Sequence, residues 1–123
     1  HKAIIQLIKN PTGASEVLKT IDKDSNILII INDNYADGRD VSWLWDADFE
    51  LLEGSSNSII TSGSRAYDMA VRLKYAGIKD IKVITSIDEA IKYVTTQTPK
   101  ESNISILPTY TALLHINNKK KGV

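Results

Sequence analysis

Residues 27–31 read Ile27-Leu28-Ile29-Ile30-Ile31, five aliphatic side chains in a row. Along a strand, successive side chains point to opposite faces, so this run is apolar on both. Such a strand must be covered from both sides, as in a parallel sheet with helices packed on each face. The remaining sequence fits that demand. Ala3–Ile8 (AIIQLI), Ser58–Ser62 (SIITS), Ile81–Thr85 (IKVIT) and Asn103–Leu107 (NISIL) are short β-branched runs that read as further strands. Between them lie helical stripes: Ala14, Val17, Leu18 and Ile21; Ala66, Met69, Ala70, Leu73 and Ala76; Ile87, Ala90, Ile91 and Val94. Pro108-Thr109 opens a last helix carrying Tyr110, Leu113 and Leu114. The alternation predicts an α/β fold, a Rossmann-like and mostly parallel sheet with helices on both faces and right-handed crossovers.

Local signals punctuate these elements. Asn10-Pro11-Thr12-Gly13 breaks the chain after the first strand, and Thr12 is the expected N-cap of the helix that follows. Ser64 is expected to cap the second helix, with Gly77 as its stop, and Ser86 with Glu89 to form a capping box on the third. Asp22 to Ser25 is a polar turn, and Lys119-Lys120-Lys121 reads as a solvated helix end complementing the helix dipole. The 123 residues suit one domain. The chain starts only two residues before a strand-like run, so residues 1–123 are expected to be a single domain cut from a longer chain.

Composition removes several function classes. Fifteen basic residues balance fifteen acidic ones, which is not the footprint of a nucleic-acid binder or a polybasic membrane surface. Without cysteine there is no disulfide, thiolate metal site or cysteine nucleophile. The only imidazoles are His1, at a terminus where it reads as a tag remnant or loose end, and His115, so neither a histidine triad nor a zinc site is expected within the chain. No apolar run approaches a membrane span and no signal peptide is visible, which gives the expectation of a soluble protein in a cytoplasmic setting. GxGxxG, Walker A and GxSxG sequences are absent.

Ligands of an open parallel sheet sit at the carboxyl ends of its strands. Here those ends are Asn10-Pro11, Asp33-Asn34, Gly63-Ser64-Arg65, Ser86 and Pro108-Thr109. The segment after the aliphatic strand is the most unusual. Six of the fifteen acids (Asp33, Asp37, Asp40, Asp46, Asp48, Glu50) fall there, with Arg39 as the only base among them and both tryptophans, Trp43 and Trp45. Composition alone also allows an ordinary surface turn with solvated carboxylates. Carboxylates gathered on a loop can hold magnesium, act as a general base, or orient a histidine through its Nδ1–H. With no suitable histidine in this chain, the last role requires one from another chain. Gly63-Ser64-Arg65 can bind an anion through free amides and a guanidinium, or simply cap a helix. Tyr67 and Tyr75 read as packing residues.

The block Asn32-Asp33-Asn34-Tyr35-Ala36-Asp37-Gly38-Arg39-Asp40-Val41-Ser42-Trp43-Leu44-Trp45-Asp46 resembles the C-terminal domain of the MurT family. Lys9-Asn10-Pro11-Thr12-Gly13, the stretch from Gly63-Ser64-Arg65 to Ala76-Gly77, and Leu107-Pro108-Thr109-Tyr110-Thr111-Ala112 extend the likeness over nearly the whole chain. MurT is the ligase-like subunit of lipid II isoglutaminyl synthase. The resemblance implies a Mur ligase C-terminal domain in an enzyme that activates the α-carboxylate of the stem peptide's D-glutamate with ATP and Mg2+ and amidates it with ammonia. It also implies a glutaminase partner, GatD, whose cysteine and histidine are completed by an acid from this domain.

On the same resemblance Asp40, then Asp37, is the expected catalytic acid. Asn10, Asp33, Asn34, Arg39 and Arg65 would face substrate or nucleotide, and Trp43 and Trp45 a partner, although core packing of the tryptophans is equally open. Asp46 and Asp48 are expected to fix local structure. ATP and Mg2+ would bind mainly outside these residues, no metal is expected within them, and the fragment alone is expected to be inactive. The partners implied are the glutaminase and lipid II at the inner membrane face, with no nucleic acid and no membrane insertion. The alternatives are an amino-acid-adding Mur or folylpolyglutamate ligase domain and a non-catalytic docking module. A phosphoacceptor receiver fits poorly, because Lys9-Asn10-Pro11 and Pro108-Thr109 stand where its acid pair and lysine belong.

Overall fold

A computed structural model describes residues 2–120, and the backbone alone of Lys120. His1 and Lys121 lie outside the described residues. Five strands, β1 (Lys2–Ile5), β2 (Asn26–Ile30), β3 (Ile59–Ser62), β4 (Ile81–Val83) and β5 (Asn103–Pro108), form one sheet in the order β1-β5-β2-β3-β4. Every pairing is parallel. The helices are α1 (Pro11–Leu18), α2 (Ala66–Tyr75), α3 (Ile87–Gln97) and α4 (Tyr110–Lys120). Between β2 and β3 the chain makes three 3₁₀ turns, Tyr35–Asp37, Ser42–Asp46 and Phe49–Leu52.

The aliphatic run explains the layers. Ile27, Ile29 and Ile31 pack on one face with Ala14 and Leu18 of α1, Met69 and Leu73 of α2, and Leu44, Phe49 and Leu52 of the connecting segment. Leu28 and Ile30 pack on the other with Ala90 and Val94 of α3 and Ala112 and Ile116 of α4. All five side chains of residues 27–31 are buried. Fully burying one such side chain contributes roughly 1.5–3 kcal/mol, so the central strand is a principal source of cohesion.

Element ends depart from the sequence expectations in instructive ways. The first strand is shorter than the apolar run. Gln6 and Ile8 still donate to Ile106 and Pro108 of β5, both at 3.0 Å, so pairing continues past its regular part. The cap of α1 is Asn10, not Thr12, because Pro11 occupies the first helical turn and the Asn10 side chain accepts from the Gly13 amide at 2.8 Å. Ser64 does not cap α2, since its hydroxyl is engaged by Asp33. Only the serine half of the box on α3 forms, with Ser86 Oγ accepting from the Glu89 amide. Gly77 ends α2 at a φ of 91°, as expected of a helix-stopping glycine. On α4 the buried residues are Ala112 and Ile116, whereas Tyr110 and Leu114 are exposed.

The connections leaving β1, β2 and β3 run over the first face, and those leaving β4 and β5 over the second. Adjacent strands therefore send their chains apart at β1/β5, at β5/β2 and again at β3/β4, opening crevices at the carboxyl edge. Gly63 sits at that edge with a φ of 93°, and a Cβ there would lie 2.5 Å from the Ile31 carbonyl oxygen. Gly63→Ala should lower unfolding free energy by about 3 kcal/mol in urea denaturation, since strain and backbone overlap add. A loss under 0.5 kcal/mol would contradict this close approach.

Candidate functional site

The β5/β2 crevice is filled by the protein's own polar groups. Asn32 donates its backbone N–H to the Thr109 hydroxyl and its side-chain amide to the Thr111 hydroxyl, both at 3.0 Å, while its Oδ1 accepts from the Ser64 N–H at 3.0 Å. Asn34 donates to Thr111 Oγ1 at 3.2 Å. Asp37 accepts from the Thr111 N–H at 2.8 Å, from its hydroxyl at 2.5 Å and from the Asn34 N–H at 3.1 Å. A carboxylate taking amides in the first turn of α4 is well placed for both capping and the helix dipole. Asp37, the second of the two expected catalytic acids, thus ties its own turn to the start of α4.

Beside it Asp33 accepts from the Ser64 hydroxyl at 2.9 Å and from Arg65 Nη1 at 3.1 Å. Arg65 also forks onto Asp68, Nε to Oδ2 at 2.7 Å and Nη2 to Oδ1 at 3.1 Å. The Ser64 bond first, and then the guanidinium, hold the Asp33 carboxyl below the usual aspartate range despite some desolvation. Arg65 is raised by the same two carboxylates, Asp68 before Asp33. Gly63-Ser64-Arg65 is therefore committed internally, and an incoming anion would have to displace Asp33 or Asp68.

The outer part of the segment is held by a residue the sequence reading passed over. Arg72, only 3% exposed, donates Nε to the Leu44 carbonyl at 2.7 Å and Nη2 to the Ala47 carbonyl and to Glu50 Oε1, both at 2.8 Å. Its guanidinium carbon lies 5.4 Å from the Trp45 ring centroid and 5.6 Å from that of Phe49. The Arg72 bond holds the Glu50 carboxyl low. One signal in the sequence marked this residue: Arg72 stands beside Met69, Leu73 and Ala76 on the inward stripe of α2, where a charge needs partners.

Asp40 stands apart from these networks. It is exposed, its Oδ1 accepts from the Ser42 N–H at 2.8 Å, and it has no cation partner among the described residues. That amide bond keeps its carboxyl below the ordinary range. Asp40 lines an open cleft of about 290 Å³ with Arg39, Trp45, Arg65 and Asp68. Arg39 stacks on Tyr35, 5.4 Å from the ring centroid. Trp43 is half-buried against the first core face, whereas Trp45 is 49% exposed. Asp46 and Asp48, expected to fix local structure, are exposed, and their carboxylates make no hydrogen bond or ion pair among the described residues. Asn10 lies at the start of α1, where its Oδ1 accepts from the Gly13 amide, and its neighbour Lys9 lines a cleft with Asp37 and Thr109.

His115 lines a different cleft with Ser64, Ser86 and Asp88, and its Nε2 pairs with Asp88 Oδ1 at 2.8 Å. Lys119 approaches the same carboxylate at 3.6 Å. No group of three His, Cys, Asp or Glu side chains is placed to hold a metal among the described residues. No helix among them is long and apolar enough to cross a membrane.

Comparison with known proteins identifies the chain's relatives. The family model described as MurT ligase C-terminal matches residues 7–113. The MurT subunit of lipid II isoglutaminyl synthase (glutamine-hydrolyzing) from Staphylococcus aureus (strain COL) is 36% identical over 117 residues, covering 91% of this chain and 26% of that protein. The subunit of the same name from Streptococcus pneumoniae (strain ATCC BAA-255 / R6) is 37% identical over 114 residues, 88% of this chain and 25% of the relative. The chain thus spans about a quarter of the length of the curated relatives it matches.

Two outcomes follow from the geometry. Arg72→Met leaves the Leu44 and Ala47 carbonyls without their donor and should cost about 2–4 kcal/mol, with a shift in tryptophan emission before global unfolding; unchanged emission and stability would refute the clasp. For Asp33 the folded pKa lies below the unfolded value of about 3.9, so its stabilisation is complete above that pH and is lost as pH falls through the folded pKa. A carboxyl NMR titration should place Asp33 below an ordinary aspartate, and Ser64→Ala should move its midpoint upward.

Proposed function

The chain belongs to the MurT ligase C-terminal family, and on that premise we propose that it serves as the C-terminal domain of the ligase subunit of a lipid II isoglutaminyl synthase. In this reading the longer protein amidates the D-glutamate α-carboxylate of the lipid II stem peptide at the cytoplasmic face of the membrane. This domain docks a GatD-type glutaminase subunit and lends an aspartate to that partner's cysteine–histidine pair. The observation that carries the reading is Asp40: an exposed carboxylate, fixed at one oxygen by the Ser42 N–H and paired to no cation among the described residues. The absence of cysteine supports placing the thiol nucleophile elsewhere.

The chemistry asked of Asp40 is modest and well matched to its setting. A carboxylate that accepts the Nδ1–H of a histidine fixes its tautomer and stabilises the imidazolium formed when the ring takes the thiol proton. The Ser42 amide holds the Asp40 carboxyl below the ordinary range and sets its orientation. Asp37 is the weaker candidate, because all three of its hydrogen bonds serve α4 and the turn at Asn34. His115 is already paired with Asp88 in a separate cleft.

ATP with Mg2+ supplies the phosphoryl group that activates the substrate carboxylate. In this reading the nucleotide is held mainly by the rest of the longer protein, and this domain contributes edge residues such as Asn10 and Arg39. Arg39, unpaired with any carboxylate and stacked on Tyr35, is the more available guanidinium for an anionic group; Arg65 is occupied by Asp33 and Asp68.

In a reconstituted two-subunit synthase, Asp40→Asn should reduce glutamine hydrolysis about 10³- to 10⁴-fold while leaving subunit association unchanged. Asp37→Asn should instead lower the melting temperature of the ligase subunit and reduce hydrolysis far less. The chain alone should turn over neither ATP nor lipid II. Normal hydrolysis by the Asp40→Asn complex would remove the acid assignment.

A further inference from the structure

Tyr67 and Tyr75 were expected to pack, yet they are 68% and 75% exposed, and Val71 between them is 47% exposed. At i, i+4 and i+8 they form one stripe along the outer face of α2. The stripe is continuous with the candidate site. Tyr75 meets Trp45 edge-on, ring centroids 5.4 Å apart at 67°, and Trp45 shares its cleft with Asp40. Trp45 is in turn held from below by the buried Arg72 guanidinium, so this end of the stripe is built on a fixed base. Aromatic side chains with few rotamers on a rigid helix are the anchors that protein interfaces favour.

The charges beside the stripe state what should cover it. Asp40 and Asp46 flank Trp45 in sequence and are both exposed, and neither is paired with a cation among the described residues; the cations near the stripe are the exposed Lys74 beside Tyr75 and Arg39, which lines the Asp40 cleft. We propose that the outer face of α2, from Tyr67 to Tyr75 and across Trp45, is the seat of the glutaminase subunit, whose matching surface carries an apolar socket rimmed by basic side chains. This rests on the partner reading given above and extends it from one acid to a surface. Docking there brings a partner histidine toward Asp40 as a consequence of the same contact, and a charged rim steers the approach more than it adds affinity.

The test is calorimetric titration of the ligase subunit with its glutaminase subunit, in four forms: wild type, Tyr67→Ser/Tyr75→Ser, Asp46→Lys, and Tyr110→Ser as an exposed control on α4. The double variant should weaken binding about thirtyfold or more without altering the thermal melt, because both side chains are exposed. Asp46→Lys should chiefly slow association at low salt, and Tyr110→Ser should bind like wild type. Full affinity in the double variant would overturn the proposed seat and leave the partner reading standing. Failure of the wild-type subunits to associate would overturn the partner reading itself. Self-association of the wild type that disappears in the double variant, without glutaminase binding, would assign the stripe to a second copy and equally overturn the proposal.

Discussion

A guanidinium buried beneath a loop fixes the long connection that follows β2. The segment from Val41 to Leu52 belongs to no strand or α-helix, yet it sends Val41, Leu44, Ala47, Phe49 and Leu52 into the first core face. Sinking those side chains drags the Leu44 and Ala47 carbonyls away from water, and buried carbonyls left unpaired are costly. Arg72 reaches across from α2 and supplies donors to both while Glu50 balances its charge. A lysine has no planar fork to serve two carbonyls and a carboxylate at once. The same guanidinium lies under the Trp45 ring, so the exposed tryptophan rests on that bond set.

The acidic character of the same segment resolves into two populations. Asp33, Asp37 and Glu50 are answered from within, by Ser64 and Arg65, by Thr111 and the start of α4, and by Arg72. They tie the loop to α2 on one side and to α4 on the other. Asp40 is answered only by the Ser42 N–H of its own turn, and the Asp46 and Asp48 carboxylates have no partner among the described residues; all three are exposed. The same division is visible at the crevice between β5 and β2. Asn32, Asn34, Asp37, Thr109 and Thr111 close it with direct hydrogen bonds, which moves the available chemistry outward to the Asp40 turn.

Local errors in reading the sequence share a physical cause. Thr12 and Asn10 both have the chemistry of an N-cap, and Pro11 in the first turn of α1 settles the choice. Ser64 has the right spacing to cap α2, but Asp33, from the end of a neighbouring strand, competes for its hydroxyl. Tyr67 and Tyr75 have the composition of packing residues, and only the position of the Arg72-bound loop shows that the outer face of α2 is left open.

The sequence by itself determined the layers. Five aliphatics in succession demand cover on two faces, and the 3.6-residue stripes between strands supply it, because periodicity is written along the chain and needs no distant partner. It also determined where to look, since strand ends of a parallel sheet collect ligands, and its motifs carried the family resemblance. What only the tertiary structure decided is which acid is free. Asp37 and Asp40 lie three residues apart on one polar turn, alike in composition. The difference is Thr111, seventy-four residues from Asp37, whose amide and hydroxyl bind it and leave Asp40 to the solvent. Hydrogen bonds between groups so distant in sequence depend on the whole sheet being assembled, so no local pattern could record them.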